Sequence, residues 1–147
     1  MINISGKEKM EEFIWNNYQN KKIIVIYFGA EWCGPCAKLK EKIEESIEEM
    51  PNLAICHLDI DDDENNEIFD LYRGKSIPLQ VFITLDGNKI VEKKRILGYD
   101  WINFILTYKE FNEENEENKE NKENNNEENE ENEENEDIND DKPEIDE

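Results

Sequence analysis

The run Ile23 to Phe28, IIVIYF, is continuously apolar and rich in β-branched side chains, and a three-residue step separates it from Trp32-Cys33-Gly34-Pro35-Cys36. A strand with no polar side has to lie in the middle of a sheet with cover on both faces. The rest of the chain is therefore read for what pairs with that strand and what covers it.

Ser5 and Glu8 have the spacing of a capping box in front of Met10, Phe13, Ile14 and Tyr18, which line one side of a helix over about 7 to 18. Behind the cysteines, Leu39, Ile43, Ile47 and Met50 mark the apolar stripe of a Lys/Glu-rich helix that stops near Pro51. Leu53 to Ile60 reads as a second buried strand, followed by a short helix through Ile68, Phe69 and Tyr72. Helices alternating with strands imply right-handed crossovers and a parallel central pair. Leu79 to Leu85, the turn Asp86-Gly87 and Lys89 to Ile96 form a hairpin. Asp100 then caps a last helix through Trp101, Ile102, Ile105 and Tyr108. The expected class is α/β: a mixed sheet of four or five strands with helices on both faces. Active sites in such folds sit where helices start beyond the carboxyl ends of parallel strands, and the two cysteines fall at that junction.

A cysteine that opens a helix faces unpaired N–H groups, which stabilise its thiolate. Cys33 has that position, and Cys36, at i+3, is close enough for a disulfide to close without unwinding the helix. Pro35 falls in the first turn, where a missing N–H costs nothing. The expected roles are nucleophile for Cys33 and resolving thiol for Cys36. Three cysteines and one histidine also suffice on paper for a zinc site. Cys56 and His57 are adjacent on a strand, however, so they point to opposite faces and do not converge on one ion. No metal is expected, nor any other cofactor. Cys56 reads as a small buried hydrophobe.

Charge is distributed unevenly. Residues 112 to 147 hold 19 acids against 3 lysines, a net of −16 out of −22 for the chain, in an Asn-plus-acid repeat with almost no hydrophobes. Such a segment buries too little apolar surface to offset its ordering entropy, so the expected organisation is a domain over 1 to 111 and a disordered acidic tail over 112 to 147. A polyanion disfavours nucleic acid and anionic membranes as partners. No stretch approaches the roughly 20 apolar residues of a membrane span, and MINISGKEKMEEF lacks the apolar core of a signal peptide. A cytoplasmic, monomeric protein is the expectation, and in a reducing compartment a Cys-x-x-Cys pair is catalytic or metal-binding rather than structural.

Trp32-Cys33-Gly34-Pro35-Cys36 after a buried strand, the helix behind it, and Ser76-Ile77-Pro78 ahead of a later strand make residues 1 to 111 resemble a thioredoxin. The resemblance implies the thioredoxin fold and reduction of protein disulfides through Cys33 and Cys36. It implies a cis bond at Ile77-Pro78, in a loop that docks substrate backbone, and a substrate-contacting lid at Trp32, with Gly34 and Pro35 beside it. Oxidised proteins would be the substrates, and a thioredoxin reductase or a glutathione-type system the electron donor. A different class, an adaptor or co-chaperone binding through the proline groove or the tail, has no chemical need for both sulfurs.

Two positions depart from the family pattern. Tyr27 stands where thioredoxins usually place a buried Asp, and Gly29 where an aromatic residue is usual. A phenol titrating at about 10 is a poor base near neutrality. His57, which titrates at about 6.5 when unperturbed, is the candidate replacement base for Cys36.

Overall fold

The apolar run becomes β2, Ile23–Gly29, buried along its whole length. The structure is a computed structural model that describes residues 1 to 126 and 144 to 145. β2 pairs in parallel with β3 (Leu53–Asp59) and antiparallel with β4 (Leu79–Asp86). The first strand, β1 (Ile2–Asn3), pairs with the outer side of β3, and β5 (Lys89–Leu97) with β4. The sheet order is β1-β3-β2-β4-β5-β6, the last strand being Glu144–Ile145.

The alternation of β2 divides the core in two. Ile24, Ile26 and Phe28 pack with Met10 and Ile14 of α1 (Lys7–Gln19) and Ile68 of α3 (Asp63–Leu71). Val25 and Tyr27 face the other way, onto Leu39 and Ile43 of α2 (Gly34–Ser46) and onto Phe104 and Tyr108 of α4 (Trp101–Asn126). Successive strand residues point to opposite sides, so one short run holds both helical layers. Phe104 is fully buried, with its ring 5.4 Å from Phe82 and 5.5 Å from Trp101.

The sequence misplaced three details. The N-cap of α1 is Gly6, at φ 93°, with no side-chain cap bond. Its N–H goes to Asn65 Oδ1 at 2.9 Å, while the Ser5 hydroxyl is engaged with Asp62. A tertiary contact thus holds the start of the helix. The hairpin turn is Gly87-Asn88 rather than Asp86-Gly87, because Asp86 still pairs with Lys89, and a register shift further along, between Phe82 and Ile83, leaves Lys93 as an extra residue on β5. The last helix, capped by Asp100 as expected, does not stop near Tyr108 but runs to Asn126. No Gly or Pro interrupts the sequence from Tyr99 to Lys142, so nothing local stops it. Asn112, the first residue of the expected tail, accepts a hydrogen bond from Asn52 at 3.0 Å. The tail from 127 lies outside the described residues apart from the Glu144–Ile145 pairing with Lys89 and Ile90.

Phe104→Ala is expected to lower unfolding free energy by about 3–5 kcal/mol, read as a lower denaturant midpoint at unchanged slope. Burial pushes the Cys56 thiol from 9.0 up to about 12 and the Tyr27 phenol from 10.0 to about 12. Below their ordinary values both groups are neutral, folded or unfolded. Above them the unfolded chain ionises first, so stability is lost as pH rises toward the folded values. The midpoint should hold from about pH 7 to about pH 9 and then fall, by up to about 1.4 kcal/mol per pH unit for each group.

Candidate active site

β2 ends at Gly29, and the chain crosses Ala30 and Glu31 to set Cys33 at the start of α2. Cys33 is the N-cap, with extended backbone, and Pro35 falls in the first turn. The Sγ of Cys33 accepts the backbone N–H of Cys36 at 3.2 Å. The two cysteines are joined as a disulfide, their Cα atoms 5.2 Å apart. Only a sliver of either is exposed, 6% of Cys33 and 4% of Cys36, and Ala30, Ile60 and Ile77 pack around them. After reduction the same N–H and the start of α2 favour the Cys33 thiolate over the thiol.

The loop before β4 approaches from the side. Ile77-Pro78 is a cis peptide bond, and the Ile77 carbonyl oxygen is 3.9 Å from Cys33 Sγ. The Pro78 carbonyl accepts the N–H of Gly98 at 2.8 Å, which fastens this loop to the end of β5. Trp32 is 68% exposed, yet its indole N–H donates to Asp61 Oδ2 at 2.8 Å. Trp32, Cys33, Gly34, Pro35, Cys36, Ile77 and Pro78 thus gather at one end of the sheet.

Tyr27 lies beneath the cysteines. Its hydroxyl donates to the backbone carbonyl of Cys36 at 3.1 Å, and burial keeps the phenol protonated far above neutral pH. His57 is level with Tyr27 on β3, ring centroids 5.0 Å apart. Its Nδ1 bonds Asn3 Oδ1 of β1 at 2.6 Å. An amide oxygen only accepts, so the imidazole proton lies on Nδ1 and Nε2 is the basic nitrogen. Burial first, and then Lys40, lower the affinity of His57 for a second proton. Among the described residues no hydrogen bond joins His57 to Cys36.

Two contributors escaped the sequence reading. Asp61, the partner of Trp32, is one of several acids in a polar turn and nothing local distinguishes it. Gln80 did carry a signal, as the polar residue in LQVFI. It is fully buried level with Tyr27 on β4, and its amide donates to the Gly98 carbonyl at 3.3 Å. Cys56 belongs to the core on the far side of the sheet from His57. Among the described residues no group of three or more His, Cys, Asp or Glu is disposed to hold a metal ion. No described helix is long and apolar enough to cross a membrane.

The sequence matches the thioredoxin family profile over residues 4 to 99. It is 32% identical over 98 residues to a thioredoxin of Chlamydia pneumoniae, a match covering 67% of this chain and 85% of that protein. The structure superposes on thioredoxin of Fasciola hepatica with a TM-score of 0.65 at 29% identity, covering 76% of this chain and 99% of the other. The thioredoxin of Trichomonas vaginalis shares the fold at a TM-score of 0.63 and 24% identity, over 76% of this chain and 96% of that one. With its paired cysteines at the head of α2, the chain belongs to the thioredoxin family and is a dithiol–disulfide oxidoreductase.

Proposed function

We propose that the protein reduces disulfides in other proteins, with Cys33 as nucleophile and Cys36 as resolving thiol. The observation that carries this reading is the Cys36 N–H directed at Cys33 Sγ at the N-cap of α2, in a pair that closes as a disulfide. The Cys33 thiolate attacks one sulfur of the substrate disulfide, forms a mixed disulfide and releases the other sulfur as thiolate. Cys36, deprotonated, attacks Cys33 Sγ and frees the second substrate thiolate. The substrate gains two electrons and the Cys33–Cys36 pair loses two.

Substrate chain lies against Trp32 on one side and the Ile77-Pro78 edge on the other. Gly34 supports this path, since the space where its side chain would stand is open, and Pro35 stiffens the ring between the sulfurs. A thioredoxin reductase or a glutathione-type system returns the electrons, in the cytoplasm, to a monomer. His57 takes the proton of Cys36, because Nε2 is free to accept it and the imidazole is neutral at neutral pH.

With dithiothreitol as donor, the native chain should reduce insulin disulfides, and Cys33→Ser should fall to the uncatalysed background. Cys36→Ser should instead accumulate mixed disulfides that reductant releases. If Cys33→Ser matches the native rate, the dithiol assignment fails. His57→Gln should slow turnover on the order of tenfold to a hundredfold above the lowered imidazole pKa, and the deficit should shrink as pH drops through it. An unchanged rate and pH profile would assign the proton to solvent.

A further inference from the structure

Tyr27 and Gly29 look like two unrelated departures from the family pattern, but they share one space. A Cβ on Gly29 would stand 2.8 Å from Tyr27 Cε1, 3.3 Å from Cζ and 3.2 Å from the hydroxyl oxygen. The two residues are i and i+2 on β2, so their side chains rise from the same face of the sheet. Any larger residue at 29 would occupy the place of the phenol ring. With glycine there, the ring leans along the strand until its hydroxyl meets the Cys36 carbonyl at 3.1 Å. That bond crosses from the central strand to the first turn of α2, at the residue that must move its sulfur onto Cys33.

The geometry points to Tyr27 as a positioning residue for the resolving step: seated over Gly29, it anchors the Cys36 backbone so that Cys36 Sγ stays aimed at Cys33 Sγ while a mixed disulfide stands on Cys33. The inference rests on the roles proposed above for the two cysteines. Tyr27 is no proton acceptor here, because its neutral phenol spends its hydrogen on a carbonyl. The His57 ring on β3 lies 5.0 Å from its own, the uncharged Gln80 is its register partner on β4, and Lys40 of α2, Asp59 of β3 and the amino terminus act on His57. His57 is therefore the neighbour whose titration falls nearest neutrality.

The experiment follows the reduced full chain with one equivalent of dithiobis-nitrobenzoate, whose two dye thiolates leave in sequence. The first departs when Cys33 attacks, and the second when Cys36 closes the disulfide. Cys36→Ser should lose the second phase and keep the first. Were it to keep both, the proposed roles of the cysteines would be wrong, whatever Tyr27 does. With that control in place, Tyr27→Phe should slow the second phase about fivefold, the worth of one hydrogen bond, and leave the first within about twofold.

The fivefold ratio should stay constant from about pH 6 to about pH 8, in the native background and with His57→Gln, since a phenol does not titrate there. Gly29→Ala should slow the second phase to a similar degree, and adding it to Tyr27→Phe should slow that phase no further, because both changes remove the same bond. Tyr27→Phe that leaves the second phase unchanged, that slows both phases equally, or that gives a ratio varying with pH overturns the assignment. Additive losses in the double variant overturn the shared seat.

Discussion

The structure depends on β2 having no solvent side. Its alternate residues, Ile24, Ile26 and Phe28 against Val25 and Tyr27, enter two different cores, so the strand is fixed in rotation as well as position. A slip by one residue would exchange the two sets and put Tyr27 among α1 and α3, away from α2. The site inherits that constraint. Cys33 follows the strand by a short step, so the start of α2 is held wherever the strand ends, and the parallel pairing with β3 brings Asp59 level with Gly29 at the same end.

The site itself is assembled from backbone more than from charge. The Cys33 sulfur meets the N–H of Cys36, the Ile77 carbonyl stands beside it, and the Cys36 carbonyl is held from below by a phenol. Such groups are set by where the strands and helices lie and need no ionisation to act. The acidic side chains lie outside: Asp61 holds the Trp32 indole, and Asp62 caps α3 by accepting the N–H of Glu64 at 3.0 Å. Burial beneath the cysteines favours neutral partners, and this chain has a tyrosine and a glutamine there.

What was legible in the sequence was what repeats. The unbroken apolar runs of the central strands and the repeating stripe Leu39, Ile43, Ile47 located the elements, and Trp32 to Cys36 with Ile77-Pro78 located the site, because a short motif on a predicted junction carries its own geometry. Contacts between distant residues were not legible. Ser5 and Glu8 have the spacing of a cap, but the N-cap is Gly6, whose N–H goes to Asn65, 59 residues away. The end of α4 misled for the opposite reason: composition argued against packing, while helix continuation asks only for the absence of a breaker. Tyr27 and Gly29 were each visible as unusual, and only the strand geometry makes them one feature.

Cys56 gives the molecule a fixed electron capacity. It is fully buried on the far side of the sheet from α2, and burial holds its proton to about 12, so it has neither the exposure nor the thiolate that exchange requires. Of three cysteine sulfurs, two trade electrons and the third is filler. Each folded chain therefore stores one electron pair and no intermediate amount. Oxidant beyond that pair has no further thiol to pass to, and the native protein saturates after one equivalent of disulfide, a count that unfolding alone would change.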